Sequence, residues 1–274
     1  MHKIENKIYA GMATTGDRKS IYETINSIAP QVEKLFIYDN SGIIDKYIFL
    51  PENVIVTFDK KVGDLGDLGK FYVLKNKIGI NITIDDDIIY PSNYVERLLD
   101  FYDPKCVVGV HAIIFNFPIY NFYSTNRKVI KFDSWLDKEV IPDLLGSGTA
   151  LFNNSLLKNL NIENEKFFKN MADLLLLREI KKNNFKLLAI PRGFGWLKDM
   201  SSSKSIYSSS AKNDSSSMNT GYKQTGMINS LLKIPDFLRV AVGLDFSNID
   251  NINYYNDFIS KMNYPEDHYI ICSH

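Results

Sequence analysis

Three adjacent carboxylates, Asp85, Asp86 and Asp87, interrupt the apolar run I-T-I-D-D-D-I-I-Y-P over residues 82–91. Like charges so close repel one another, and a bound cation relieves that repulsion. Hard oxygen donors select a hard divalent ion, Mg²⁺ or Mn²⁺, which keeps waters and shares further ligands with substrate phosphates. Asp85 and Asp87, one residue apart, are the leading ligands for such a phosphate-bound metal site. Read without its flanks, the same triplet is an acidic turn facing solvent. The flanks favour the site: Ile80, Ile82 and Ile84 alternate with Asn81 and Thr83, the period of a strand that ends at the acids. Pro91, Ser92 and Asn93 then form a turn feeding a helix over 94–102.

The elements around this strand follow a rhythm. Lys7–Met12 reads as a strand, followed by the turn A-T-T-G-D-R at 13–18 and a helix over Ser20–Ile28 with apolar spacing at Ile21, Ile25 and Ile28. Val32–Tyr38 is a second strand ending in the turn Asp39-Asn40-Ser41-Gly42, and Val54–Phe58 a third. Gly63, Gly66 and Gly69 punctuate K-V-G-D-L-G-D-L-G-K before a helix over Phe71–Ile78. This order predicts an α/β chain with a mostly parallel, Rossmann-like central sheet flanked by helices. Ligands of such sheets bind beyond the carboxyl ends of the strands. The turns at Thr14–Arg18, Asp39 and Asp85–Asp87 should therefore share one rim. Further on, Val107–Phe115 reads as a strand interrupted by His111, and 116–133 as an excursion with short strands. G-S-G-T at 146–149 is a flexible turn leading into Ala150-Leu151-Phe152. Asp173–Lys182 is a helix with lysines at its carboxyl end, as the helix dipole favours, and Lys186–Ile190 is a last strand. Met200–Ser217 is Ser-rich and expected to be mobile. Residues 221–274 form a C-terminal helical appendage.

Composition narrows the function classes. Lys plus Arg and Asp plus Glu balance at 32 each, so no overall field points to nucleic acid or an anionic membrane. Cys106 and Cys272, the two cysteines, have neither metal nor redox spacing, which fits a reducing cytoplasm. No signal sequence is evident at the N-terminus, and no stretch reaches the ~20 apolar residues of a bilayer span. The expectation is a soluble cytoplasmic chain compatible with peripheral contact at the inner membrane.

Taken together, A-T-T-G-D-R, the strand ending Y-D-N, G-D-L-G-K-F-Y and T-I-D-D-D-I-I-Y-P resemble a GT-A-fold, family 2 type nucleotide-sugar glycosyltransferase. V-G-V-H-A-I-I-F, G-S-G-T-A-L-F, M-A-D-L-L-L and I-P-R-G-F-G-W-L are similar to the second, glucuronic acid-adding domain of bacterial hyaluronan and chondroitin synthases. The resemblance runs collinearly over residues 4–200, which makes 1–200 the transferase domain, 201–220 a Ser-rich lid or linker, and 221–274 the appendage. It implies that Asp85 and Asp87 hold Mn²⁺ or Mg²⁺ on the donor diphosphate, with Asp86 beside the sugar or ribose. Asp39 matches a residue that accepts from a uracil N–H; as a residue it is equally an Asx-turn former with Asn40. Thr14 and Thr15 would line the nucleoside pocket, and Arg18 and Lys70 would offer positive charge or polar contacts. His111 would face substrate or serve as a third metal ligand, and it is otherwise a structural histidine. Gly146–Thr149, Gly148 among them, would bring backbone close to the sugars, while Trp196 either stacks on acceptor rings or fills core. Asp173 matches the general base of an inverting transfer; as a residue it is a helix-terminal acid of the capping kind.

The implied activity is a metal-dependent inverting transfer from a UDP-sugar, glucuronic acid or a related hexose, to a surface polysaccharide or lipid-linked glycan acceptor, with no nucleic acid partner. Two other readings remain at this point. A nucleotidyltransferase also uses acids and a divalent ion on an α/β sheet, although A-T-T-G-D-R is a poor phosphate loop for one. A non-catalytic carbohydrate-binding domain on the same fold would have no need of Asp85, Asp87 and Asp173.

Overall fold

The computed structural model describes residues 7–16, 20–44, 49–115, 127–165 and 168–200. The chain divides into two compact units, Met1–Ile114 with Val129–Ser201, and Phe115–Lys128 with Ser202–His274. Arg18, the Ser-rich stretch beyond Met200, the C-terminal appendage and Cys272 lie outside the described residues, as does most of the 116–133 excursion.

In chain order the first unit starts with β1 (Ile8–Thr14), α1 (Ile21–Ile28), β2 (Lys34–Asp39) and β3 (Val54–Thr57). There follow α2 (Gly69–Leu74), β4 (Ile80–Ile84), β5 (Ile88–Ile89), α3 (Tyr94–Leu99), β6 (Cys106–Gly109) and β7 (Ala112–Phe115). The remaining elements are β8 (Arg127–Ile130), β9 (Leu144–Leu145), β10 (Thr149–Asn153), α4 (Ala172–Lys182), β11 (Lys186–Ala189) and β12 (Lys198–Asp199). Seven strands form one sheet in the order β11-β6-β10-β4-β1-β2-β3. β1 runs parallel to both β2 and β4, β2 to β3, and β6 to β11, while β10 alone is antiparallel to its neighbours β4 and β6. The molecule is thus α/β with a mostly parallel, mixed sheet flanked by helices.

The alternation in β4 sorts its side chains onto two faces, both covered. Ile80, Ile82 and Ile84 join Ala10 and Met12 of β1 in a core closed by Ile21, Ile25 and Ile28 of α1 and by Tyr94, Val95 and Leu98 of α3. Removing each such aliphatic side chain from water contributes roughly 1.5–3 kcal/mol. On the other face Asn81 and Thr83 are also fully buried, and α2 packs across β1, β2 and β4.

Several boundaries differ from the sequence reading. The strand expected over Val107–Phe115 is two strands, because the chain turns at His111: Thr149 Oγ1 accepts its N–H at 2.9 Å, and its carbonyl accepts from Gly146 N at 2.9 Å. β6 stays in the main sheet, and β7 pairs instead with β9. α2 begins at Gly69 and stops before Asn76, which takes a left-handed φ of 67°. Lys186–Ala189 is not the last strand, since β12 returns to pair antiparallel with β5. The turn before β10 is held rather than flexible, through the hydrogen bonds described below. Cys106 is buried and free. Among the described residues no helix is long and apolar enough to cross a membrane.

Candidate functional site

The parallel strands β1, β2 and β4 bring their carboxyl ends to one edge of the sheet. Thr14 pairs with Asp39, and Met12 with Ile84, so Thr14, Asp39 and Asp85 open onto the same rim, as the sequence predicts. The antiparallel β10 adds what strand order in the sequence does not reveal. Thr149 pairs with Ile84, so the turn Gly146–Gly148 that precedes β10 arrives at this rim as well.

A closed ring of contacts results. Lys70, in the first turn of α2, forms an ion pair with Asp85 Oδ1. Asp85 lies against Gly148, where a methyl group would overlap Oδ2 and sit 2.8 Å from Oδ1. Ser147 N donates to Asp173 Oδ1 at 2.7 Å, which ties this turn to the start of α4. The same end of α4 is tied back to the loop before Lys70, because Asn170 N and Ala172 N donate to the two carboxylate oxygens of Asp67 at 2.7 and 2.9 Å. Tyr90 braces the ring from inside. Its hydroxyl donates to Gly148 O at 2.7 Å and accepts from Asp85 N at 3.0 Å. Burial, followed by the charge around Tyr94 and Asp85, pushes the Tyr90 phenol well above its ordinary range, so it stays a neutral donor.

Lys70 is the electrostatic centre of the ring. Burial works against its ammonium, but Asp85, Asp67 and Asp173 more than offset it, and Lys70 titrates above its ordinary value. Asp67 goes the other way. The residue keeps some surface, yet its carboxyl is enclosed by the surrounding chain, and burial pushes it up to about 7. Lys70 and the two amides oppose that rise, and Asp173 adds to it.

The other expected site residues are distributed as follows. Asp86 turns inward: Thr14 Oγ1 donates to its Oδ2 at 2.6 Å, and the hydroxyls of Ser20 and Thr24 donate to its carbonyl. Thr14 is therefore committed to Asp86, while Thr15 is exposed and its carbonyl accepts from Ser41 Oγ. Asp39 is buried and gathers the loop after β2, with Ser41 N and Oγ donating to Oδ1 and Ile44 N to Oδ2. That is the turn-forming arrangement, built on Ser41 and Ile44. Asn40 instead reaches the glycine-rich loop, bonding Leu65 N and Gly66 O. His111 packs beside Gly146 and against Phe132. Trp196 is half-buried against Tyr94 and donates to Asn93 Oδ1 at 3.2 Å. Met200 N donates to Asp87 O at 2.8 Å, so the described chain ends beside the acid triplet.

Among the described residues no three His, Cys, Asp or Glu side chains converge as a metal site. Asp85 and Asp87 are both only half-buried at the rim, and Asp86 is turned away. Two carboxylates fit an ion that completes its shell with waters and phosphate oxygens, as Mg²⁺ does, better than a resident structural ion. The Lys70 ammonium also balances Asp85.

Asp67 and Tyr90 are the members of the ring that the sequence reading did not single out; Ser147 fell within the backbone turn 146–149 that it did, but without its bond to Asp173. Asp67 carried a faint signal, an acid one helical turn before Lys70 in a glycine-spaced loop, and Tyr90 another, a tyrosine inside the acid motif. Ser147 acts through its backbone N–H, which no residue identity announces. Compared with known proteins, the chain matches no family model and no curated protein.

Proposed function

We propose that this chain is a metal-dependent, inverting glycosyltransferase. It moves a sugar, glucuronic acid or a related hexose, from a UDP-sugar to a growing surface polysaccharide or lipid-linked glycan at the cytoplasmic face of the inner membrane. The reading rests on one observation: Asp85 paired with Lys70, and Asp173 at the start of α4, are joined through Ser147 and Gly148 at the carboxyl rim of the sheet. Acid and cation for a diphosphate thus stand beside a separate carboxylate for an acceptor.

In this reading the acceptor hydroxyl oxygen attacks the anomeric carbon from the side opposite the diphosphate. Asp173 takes the hydroxyl proton as the new bond forms. Oδ1 of Asp173 is held by Ser147 N, so Oδ2 is the oxygen assigned to that proton. The bond from the anomeric carbon to the diphosphate oxygen breaks, its electron pair leaves with UDP, and Lys70 stabilises the charge that develops. A divalent ion bound through Asp85 and Asp87 supplies further charge stabilisation on the diphosphate. The parallel-sheet rim and the tight backbone at Gly148 support the reading, since ligands of such sheets bind there.

The test is a panel of UDP-sugars assayed for UDP release with and without Mn²⁺, alongside calorimetry of UDP. Release from one donor that needs Mn²⁺, and Mn²⁺-dependent UDP binding weakened at least about tenfold in Asp87→Ala, support the reading. Absence of UDP and UDP-sugar binding at millimolar concentration in the presence of Mn²⁺ overturns it.

A further inference from the structure

We propose that Asp67 is a positioning residue for the transfer step, holding the first turn of α4 so that Asp173 stays in register with Lys70 and Asp85. The proposal rests on the transferase reading above, and it extends that reading to a residue outside the donor and acceptor groups.

α4 has no cap of its own. Met171, at its N-cap, provides no side-chain hydrogen bond, which leaves the first backbone N–H groups of the helix in need of acceptors. The carboxylate of Asp67 supplies one of these acceptors across the fold, from 105 positions away in sequence, taking the N–H of Ala172, the first residue of the helix, on one oxygen and that of Asn170, just before the helix, on the other. Ala172 is the residue directly before Asp173. A displacement of that peptide therefore moves Asp173, whose own carboxylate is bonded only one link further on to Ser147 N.

The other end of the clamp is equally fixed. Asp67 lies in the 3-10 turn Gly66–Leu68, which runs directly into α2 and Lys70. Asn40 holds that turn through Leu65 N at 2.8 Å and Gly66 O at 2.9 Å. Gly66 has a left-handed φ of 58°, and any side chain there would collide with Asn170 Oδ1, so the two loops fit together at close quarters. Asn170 is itself left-handed, with φ 62°. This conformation costs energy for a residue with a side chain, and it persists where the surroundings impose it. A capping role for helix stability alone would need none of this coupling. Here one carboxylate joins the loop of the phosphate-side cation to the peptide carrying the proposed base. Its carboxyl is also held against an electrostatic cost, because burial and the neighbouring Asp173 both disfavour its charge.

The experiment compares Asp67→Ala and Asp67→Asn with Asp64→Asn in the full chain. Asp64 sits on the same loop and pairs with Lys169 at the surface, so it controls for loop stability. Asp67→Ala is expected to lower kcat by about 100-fold, the usual cost of misplacing a reacting group by ~1 Å, while KM for the donor and UDP affinity change by less than about twofold. Asp67→Asn keeps one acceptor oxygen and should recover part of kcat; being isosteric, it also stands in if the alanine variant fails to fold. Asp64→Asn should leave both constants unchanged. Without any substrate, amide hydrogen exchange at Ala172 and Ser147 should accelerate about tenfold or more in Asp67→Ala, while the carboxyl half of α4 keeps its protection. Unchanged kcat in Asp67→Ala, or parallel loss of kcat and UDP affinity in both Asp67 variants, overturns the positioning role. If the wild-type chain turns over no donor, the transferase reading has failed. The exchange data then decide alone: acceleration at Asn170, Ala172 and Ser147 with the carboxyl half of α4 still protected upholds the clamp, and unchanged exchange overturns it.

Discussion

Gly148→Ala perturbs the ring at its tightest contact. A methyl group at that position overlaps Asp85 Oδ2, so the Asp85 carboxylate must swing away and release Lys70. Asp85 is 41% exposed and can turn into water, whereas Lys70 is only 3% exposed and loses the carboxylate paired directly with it. A hydrogen bond to a charged group contributes about 1.5–3 kcal/mol. Asp67 and Asp173 still surround Lys70 with negative charge, which keeps the loss toward the lower part of that range. Replacing glycine by alanine restores roughly 0.4–1 kcal/mol by restricting the unfolded chain. The expected net result is a destabilisation of about 0.5–2 kcal/mol in urea unfolding at constant slope. Gly193→Ala is the control: nothing lies within 4 Å of the added methyl, so the unfolded-state gain should appear undiminished. In the same Gly148→Ala protein, Mn²⁺-dependent UDP binding should fall by about tenfold or more, a loss of at least ~1.4 kcal/mol. A variant as stable as wild type, with unaltered UDP affinity, would refute the claim that Gly148 sets the position of Asp85.

Tyr90→Phe removes the hydroxyl shared by Gly148 O and Asp85 N; leaving those groups without it should cost about 1–3 kcal/mol, read by thermal or urea unfolding. Stability within about 0.3 kcal/mol of wild type would show that these two groups find other partners. Asp173→Asn should keep UDP affinity and reduce single-turnover transfer by about 10²–10⁴-fold, the typical worth of a general base; near wild-type turnover would move the base elsewhere. Asp67 carries a pH signature. Its carboxyl titrates at about 7 in the folded chain against an ordinary value of 3.8, so between those values the folded state holds a proton that the unfolded chain has released. The unfolded state then binds fewer protons, and this group's contribution to stability declines as pH rises from about 4 to 7 and is flat above. Measured as wild type minus Asp67→Asn in urea titrations, the difference should show that decline, and a pH-independent difference would contradict it.

The parts of this protein that follow local rules were readable from sequence. Ile80, Ile82 and Ile84 alternate because a strand shows side chains to opposite faces, and Ile21, Ile25 and Ile28 recur because a helix turns every 3.6 residues. From these periods came the strands β1, β2 and β4, the helices between them, and the shared rim of Thr14, Asp39 and Asp85. The partners of particular polar atoms were not readable. Asp85, Asp86 and Asp87 are identical in type, and only their exit from β4 decides that Asp86 points to Thr14 while Asp85 meets Lys70. Asp39 could be read as a nucleoside ligand or a turn former, and folding gave it Ser41 and Ile44 as partners. The direction of β10 was equally hidden, since an apolar strand reads the same parallel or antiparallel. That direction brings Ser147 and Gly148 to the acids, and with them Asp173 and, from the glycine-spaced loop, Asp67. Sequence determined which residues carry charge and which surfaces must be buried, because those depend on residue type and local period. Tertiary structure decided which charges face one another, because hydrogen bonds between residues about a hundred positions apart exist only once the sheet order has set their distance.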